Sequence, residues 1–269
     1  MTTIREMEIS SPLDSDGLLD ISPKDLFLEI AKGSVTGHSQ INKFGFAEAV
    51  NTGSHQVIWD GLSDVAGYPD ADYTWPSDTA ATFYVASSDN GDTQVYEVQG
   101  LDANFVAQTV EVTAAGNTVT ALSGTWTRVF RIKNKGATDN AGRVYVTNAD
   151  DHTAGVPDVD ANIKAMVSVA NNQTLMALYT VPAACTAYLT SVYASCGKGE
   201  DFITTLWARP FGGVFQLKDY QYLYQQSWSH PFGPYPSFAA KTDIVLKARA
   251  VTTTNKPISG GFDMILVAD

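Results

Sequence analysis

The second half of the chain is divided into short apolar runs that end at turn residues. The run Thr174–Val181 stops at Pro182, and the run Ala187–Ala194 is followed within two residues by Cys196-Gly197. Both runs mix β-branched and aromatic residues between turn residues, a pattern that indicates strands. This half contains no amphipathic helical window. It is therefore predicted to be all-β.

From residue 163 onward we count eight predicted strands in about a hundred residues, the number expected of a jelly roll. They are Ile163–Val169, Leu175–Val181, Ala187–Ala194, Phe202–Ala208, Val214–Asp219, Tyr222–Ser229, Asp243–Val251 and Ser259–Val267.

The first half reads as a meander of six or seven short strands between residues 82 and 147. Asn90-Gly91 is a hairpin turn signal within it. Strands of this number and spacing predict an antiparallel sandwich of immunoglobulin-like size. The polar segment Asn148–Asp160 is the predicted boundary. The predicted divisions are 1–25, an N-terminal arm or flexible tail, 26–155, an acidic β-sandwich, and 156–269, a jelly-roll domain.

The negative charge is concentrated in the first part of the chain. Residues 1–155 hold 21 Asp and Glu against 9 Lys and Arg, a net of −12, whereas residues 156–269 hold 8 of each. Binding to a phosphate backbone needs clustered Lys and Arg, so direct nucleic-acid binding is not predicted. The neutral second part is instead suited to self-association, because copies of it meet little charge repulsion.

The two cysteines, Cys185 and Cys196, lie on either side of one predicted strand. Both a disulfide and two reduced thiols stay open, and nothing marks secretion, which favours the thiols. The N-terminus lacks the basic and apolar regions of a signal peptide, and no apolar run is long enough to span a membrane. Synthesis in a host cytoplasm and no membrane contact are predicted.

No motif in the chain predicts a metal, a cofactor or catalysis. Asp158, Asp160 and Asn162 open like a calcium loop, but the loop glycine and the bidentate glutamate are absent, so linker polarity is favoured. The acidic residues Asp70, Asp72 and Asp78 are read as a solvated loop face in preference to a cation site. The four histidines are scattered, without the spacing of a zinc site.

Aromatic residues are the candidate interface. Tyr220, Tyr222 and Tyr224 alternate with Gln221 and Leu223, so they are predicted to share one face of a strand. Core or subunit packing is favoured over a carbohydrate platform for such residues. The full candidate set is Tyr68, Tyr73, Trp75, Tyr220, Tyr222, Tyr224 and Trp228.

Several segments between residues 30 and 267 resemble structural proteins of tailed phages, especially marine and cyanobacterial ones. The segments that carry the resemblance are Ile30–His38, Asn42–Gly45, Ile58-Trp59, Gln173–Ala177, Tyr179–Pro182, Arg209–Gly212, Val214–Gln216 and Gly260–Val267. The acidic first 25 residues have no counterpart in this resemblance and would form a capsid-clamping arm.

The resemblance implies a non-enzymatic virion component, a capsid decoration or cement protein with a β-sandwich followed by a jelly roll. It also implies the major capsid protein and other copies of the chain as partners, the latter in a homotrimer. One alternative is a tail-associated or host-recognition module that binds surface glycan. A glycan-cleaving enzyme with paired carboxylates is a third, less favoured alternative, since sequence does not give the separation of carboxylates.

Overall fold

The computed structural model describes residues 25–61 and 72–269. Strands dominate this part of the chain, so the predicted all-β class is confirmed. The predicted arm, apart from Asp25, and the candidate residue Tyr68 lie outside the described residues.

The described elements in chain order are one α-helix, nineteen strands and one 3-10 helix. They are α1 Leu26–Ala31, β1 His38–Val50, β2 Gln56–Val57, β3 Tyr84–Ser87, β4 Val95–Leu101, β5 Ala107–Thr113, β6 Thr120–Ala121, β7 Arg128–Asn134, β8 Val144–Thr147, β9 His152–Thr153, β10 Val156–Pro157, the 3-10 helix Asp160–Asn162, β11 Ile163–Val167, β12 Leu178–Thr180, β13 Cys185–Cys196, β14 Asp201–Arg209, β15 Gln216–Tyr224, β16 Ser227–Pro231, β17 Ser237–Phe238, β18 Asp243–Ala250 and β19 Lys256–Ala268.

Two large sheets include the first and last strands of the described residues. One has the order β1-β19-β13-β16, with β17 also paired to β13, and the other has the order β12-β18-β14-β15, with β2 paired to β18. The two sheets touch where β19 meets β18 and where β13 meets β14 and β15. Side chains buried in them include Val192, Phe262, Phe202 and Leu246.

Two smaller sheets are formed by the residues between β1 and β12. One has the order β11-β8-β3-β6 and the other the order β5-β4-β7, and they meet where β11 touches β7. A short β9–β10 hairpin lies beside β8. Buried apolar residues of all four larger sheets belong to one continuous core.

The first and last long strands are paired along most of their length. His38 to Ala47 of β1 lie opposite Val267 to Ile258 of β19. Gly45 stands where a side chain has no room, because an added Cβ would lie 2.1 Å from the carbonyl oxygen of Ile58. The glycine thus lets β1 lie directly against the next segment of backbone.

The structure differs from the predicted division of the chain in two strands. β1, which lies in the predicted first domain, pairs with β19, and β11, which lies in the predicted jelly roll, pairs with β8. Such pairings join residues far apart in sequence, so the local pattern of apolar residues does not reveal them. The domain boundaries otherwise stay a prediction.

Two local predictions were wrong. The Asn90-Gly91 turn does not join a hairpin, because β3 and β4 lie in different sheets. The Asp92 carboxylate instead accepts hydrogen bonds from the backbone N–H groups of Ala141 and Gly142, at 2.8 and 2.9 Å. The predicted strands 214–219 and 222–229 are also not separate, because β15 runs without a break to Tyr224 and the chain turns at Gln225, whose φ is 51°.

Candidate assembly surface

β15 is the terminal strand of its sheet and carries the largest exposed apolar group on any strand described. A tight turn joins it to β14, in which the Gly213 N–H donates to the carbonyl oxygen of Pro210 at 2.8 Å. Within the described residues β15 pairs only with β14, so its other edge has no strand partner. Strand edges of this kind offer free backbone N–H and C=O groups to another chain.

The three tyrosines of β15 point to one side, as the alternation predicts. Tyr220 lies opposite Thr205, and Tyr222 lies opposite Ile203. The exposed fractions of Tyr220, Tyr222 and Tyr224 are 49, 54 and 64%. Leu223, between Tyr222 and Tyr224, is fully buried, so one side of the strand is exposed to solvent and the other faces the core. We call Leu217, Tyr220, Tyr222 and Tyr224 the tyrosine face.

The tyrosine face rests on a rigid, buried strand. Ile203 and Thr205 on β14 are 4 and 1% exposed although they point to the same side as the tyrosines. The Trp207 indole N–H donates to Thr205 Oγ1 at 2.9 Å. Phe211 and Val214 in the β14–β15 turn, 53 and 73% exposed, extend the apolar surface at one end.

Exposed aromatic residues beside a free strand edge are typical of interaction sites. The sequence signal for this surface was the alternation of tyrosines. The free edge of β15 could not have been predicted from sequence, because it depends on the order of strands in the sheet.

A bulge within the continuous strand β15 shifts its register with β14. The register with β14 shifts between Leu206 and Trp207, which leaves Lys218 as the extra residue between Leu217 and Asp219. The Asp219 carboxylate accepts from its neighbours, the N–H of Tyr220 at 2.9 Å and the Gln221 side chain at 3.2 Å. A bulge and a lysine are common devices by which a strand edge avoids unwanted pairing. Residues 219–224 keep a regular register with β14.

Two other candidate aromatics, Tyr73 and Trp75, pack toward the interior. Tyr73 is 5% exposed, with its ring centroid 5.2 Å from Trp59 and 5.3 Å from Trp75. Trp75 is partly buried and lies 5.6 Å from Phe215, next to the start of β15. These two residues therefore support the strand that carries the tyrosine face and present little surface themselves.

Trp228 is not part of the tyrosine face. It lies opposite Ala194 in the sheet of β13 and β16, and its ring meets His230 edge-on at 5.8 Å. The ring is half-buried against the core. The structure thus brings together three of the seven candidate residues, the tyrosines of β15.

A buried ionic cluster, which sequence reasoning missed, fixes the turn end of the β14–β15 hairpin. The Asp243 carboxylate accepts from Arg128 Nε at 3.0 Å, Arg209 Nε at 2.9 Å and Thr180 Oγ1 at 2.6 Å. Burial disfavours the charge of Arg128, but hydrogen bonds and charge from Asp243 and Asp78 outweigh it, so the pKa of Arg128 is raised. The Arg209 guanidinium also lies 4.8 Å from the Phe215 ring, which ties β15 to the cluster.

Three other titratable side chains are buried, and two of them, both lysines, donate to backbone carbonyl groups. Lys43 donates to the carbonyl oxygen of Phe130, which joins β1 to β7. Burial, and then the charge of Arg131, lower the pKa of Lys43 well below its ordinary value, and burial raises the pKa of Asp60 well above its own. Burial lowers the pKa of Lys164 to about 8, and its amine donates to the carbonyl oxygen of Thr74 at 2.9 Å.

Three of the residues considered as cation ligands, Asp72, Asp78 and Asn162, are engaged in other contacts. Asp72 accepts from the N–H of Val57 at 2.7 Å, and Asp78 pairs with Arg128 at 2.5 Å, while Asp70 lies outside the described residues. Asn162 donates to Asp151 at 3.0 Å. Across residues 25–61 and 72–269, no three His, Cys, Asp or Glu side chains form a group that could hold a metal ion.

Both cysteine thiols are free. They stand at the two ends of β13, and a twelve-residue strand is about 36 Å long, so the two sulfurs do not reach each other. In the described part of the chain, no helix has the length and apolar character needed to cross a membrane.

No protein-family model matches the chain. No curated protein matches it. Among solved structures, the chain is similar to a structure of the infectious bursal disease virus Gt strain, with 7% identity over 86% of this chain and 71% of that one, at a TM-score of 0.24. A structure of the Gx strain of the same virus gives 10% identity over 86% of this chain and 72% of that one, at a TM-score of 0.25.

A third similar structure is that of the T13 viral particle of infectious bursal disease virus, with 8% identity over 86% of this chain and 69% of that one, at a TM-score of 0.25. These similar structures thus come from viral particles. TM-scores of this size are too small to carry an argument about fold or function. The resemblance to tailed-phage proteins therefore stays a prediction.

Proposed function

We propose that the chain is a non-enzymatic structural protein of a phage virion, a capsid decoration or cement protein that binds the shell and other copies of itself. The observation that carries this proposal is the tyrosine face, an exposed aromatic surface on a free strand edge. Its partners are the major capsid protein and further copies of the chain, predicted as a homotrimer, and its location is the virion.

The strand pairing supports a jelly roll as the shell-binding unit. Without the residues between β2 and β12 and without the two-residue strands β2 and β17, eight strands remain. The first of these pairs with the last, β1 with β19, and the second with the seventh, β12 with β18. The third then pairs with the sixth, β13 with β16, and the fourth with the fifth, β14 with β15. Nested pairs of this kind are those of a long hairpin rolled into two sheets, which is a jelly roll.

The sheets β11-β8-β3-β6 and β5-β4-β7 then form an immunoglobulin-like sandwich inserted between the first two strands of the jelly roll. This acidic insertion faces solvent or a basic patch on the shell. Stabilisation of the shell comes from surface buried at joints between subunits, and stable interfaces bury about 1,600 Å².

The experiment compares particles with and without the protein. Particles that lack it are expected to release DNA at lower temperature, and purified protein added back is expected to restore their heat resistance. Protein with Tyr222→Arg should fail to restore it, whereas Tyr235→Arg, at a tyrosine 45% exposed outside the tyrosine face, should succeed. Equal heat resistance with and without the protein would remove the cement function.

One observation favours the second candidate, a tail-associated or host-recognition module that binds glycan. A cavity of about 320 Å³ lies between β1 and the β5-β4-β7 sheet, with Gln40, Asn42, Gln99, Thr109 and Arg131 in its wall. Gln99 lies opposite both Thr109 and Arg131, so their side chains form one polar row. Amide, hydroxyl and guanidinium groups suit the hydroxyls of a sugar.

A glycan array tests this second candidate. Binding by the intact chain that is lost in Thr109→Val would support it, and an array without signal would remove it.

A further inference from the structure

The free edge of β15 has a feature that selects a second copy of the chain as its partner. Tyr220, Tyr222 and Tyr224 are placed symmetrically about Tyr222. When two identical strands run antiparallel with Tyr222 opposite Tyr222, each Tyr220 stands opposite the Tyr224 of the other copy. The tyrosines of one strand therefore face the tyrosines of a second copy at all three positions. The strand of an unrelated protein would not in general carry tyrosines at these positions.

We infer that two copies of the chain pair antiparallel through residues 220–224 of β15, about a two-fold axis at Tyr222. This inference rests on the proposed function, because it names the partner of the same tyrosine face. The pairing would continue the β12-β18-β14-β15 sheet into the second copy and place six tyrosines side by side on one surface. Aromatic cross-strand pairs of this kind stabilise sheets.

The bulge at Lys218 restricts the pairing to this register. Lys218 interrupts the strand two residues before Tyr220, and the strand ends at Tyr224, where Gln225 takes a positive φ of 51°. A pairing centred further toward the N-terminus would bring the lysine and the irregular backbone into the ladder. The regular segment between these two limits is the one that carries the three tyrosines.

The charge around the strand also permits two copies to meet. Between residues 210 and 230 the chain has one lysine, Lys218, and one carboxylate, Asp219. These segments of two copies therefore meet without net charge repulsion between them, although the whole chain carries a formal charge of −12. Because the contact is the same on both sides, it does not close a trimer. In a trimeric cement protein it would link one trimer to the next.

Disulfide trapping tests the register. In a Cys185→Ser, Cys196→Ser background, single cysteines replace Tyr222, Tyr220 or, as the matched control, the exposed Tyr235. Directly opposed residues of antiparallel strands have Cβ atoms about 4.5–5.5 Å apart, close to disulfide geometry. Two Tyr220 positions would be four residues apart along the pair, about 13 Å.

Mild oxidation is therefore expected to convert most of the Tyr222→Cys protein to a covalent dimer, at least ten times the yield of Tyr220→Cys or Tyr235→Cys. The double variant Tyr220→Cys, Tyr224→Cys should cross-link as well as Tyr222→Cys. Equal cross-linking of Tyr220→Cys and Tyr222→Cys, or none at Tyr222, would overturn the pairing.

The heat-resistance assay separates the two proposals. If Tyr222→Cys does not cross-link but the added protein still protects particles, the two-fold pairing is wrong and the cement function stands. If Tyr222→Cys cross-links and the protein gives no protection, the pairing is right and the cement function is wrong.

Discussion

At the scale of single residues, the carboxylate of Asp243 receives hydrogen bonds from three separate strands. Arg128 comes from β7, Arg209 from β14 and Thr180 from β12, and all three donate to it. The exposed fractions of the Arg128 and Asp243 side chains are 2 and 3%. Buried pairs of this kind are costly to break because the remaining charge loses its partner.

Replacement of Arg128 by methionine is expected to lower the free energy of unfolding by about 3 kcal/mol, the lower end of the range for breaking a buried ion pair. Asp243 and Asp78 lose their shared guanidinium, but Asp243 keeps the hydrogen bonds from Arg209 and Thr180. Urea denaturation of the two proteins measures the difference. Lys32→Met is the matched control, because Lys32 forms an exposed pair with Glu29, and such pairs contribute about 0.5 kcal/mol or less. An equal, small effect of both substitutions would contradict the role of Arg128.

Lys164 gives the stability a defined pH dependence. Burial lowers its pKa in the folded chain to about 8, from 10.5. Between these two values the unfolded chain binds more protons, so this residue makes stability rise with pH. Below pH 8 both states hold the proton, and the cost of burying the charge is fully present.

The wild-type protein should therefore gain stability relative to Lys164→Met as the pH rises from about 8 to 10, by at most about 1.4 kcal/mol per pH unit. Urea denaturation at pH 7, 8, 9 and 10 checks this. Parallel curves for the two proteins would show that Lys164 keeps an ordinary pKa.

Sequence reasoning succeeded for residues whose role depends on local alternation and failed for those that depend on distant partners. The shared face of Tyr220, Tyr222 and Tyr224 follows from their spacing alone. The burial of Lys43 and the role of Asp243 follow from strands more than thirty residues away. The residues next to Lys43 and Asp243 in the sequence do not predict these distant partners.

At the scale of elements, the terminal strands β1 and β15 of the two large sheets have different surroundings. The face of β1 is covered at Gly45, where the N–H of Ala177 donates to the carbonyl oxygen of Ile58 at 2.9 Å. β15 is open along one side in the described residues. Element boundaries were well predicted for β14, β18 and β19, whose apolar runs are long. They were poorly predicted for β15, because its alternation continues through the polar residues Asp219 and Gln221.

The close approach at β1 predicts a strong effect of a single methyl group. In Gly45→Ala the new Cβ would lie 2.1 Å from the Ile58 oxygen and 2.7 Å from the Ala177 nitrogen. Forced overpacking of this kind typically costs about 1–3 kcal/mol. Thermal unfolding should show a clearly lower midpoint for Gly45→Ala, with Gly53→Ala unchanged because its nearest atom is 3.6 Å away. An unchanged midpoint for Gly45→Ala would mean that β1 does not lie against this backbone.

At the scale of the whole molecule, the chain leaves one two-sheet unit after β2, builds the two smaller sheets, and returns to the first unit at β12. Sequence reasoning read the same strands as two consecutive domains. The all-β class could be predicted because every local run points to strands. The interruption of the first unit by the smaller sheets could not be predicted, since it is shown by the pairing of β1 with β19 and of β2 with β18, strands far apart in the sequence.

The central claim is that this chain assembles with itself through the tyrosine face. Light scattering coupled to size exclusion tests it most directly. We expect the intact chain to elute with a mass of at least twice 28.9 kDa, and Tyr222→Arg to shift toward the monomer without loss of thermal stability. Tyr235→Arg should keep the mass of the intact chain. A monomer at every concentration, or an oligomer unaffected by Tyr222→Arg, would contradict the account.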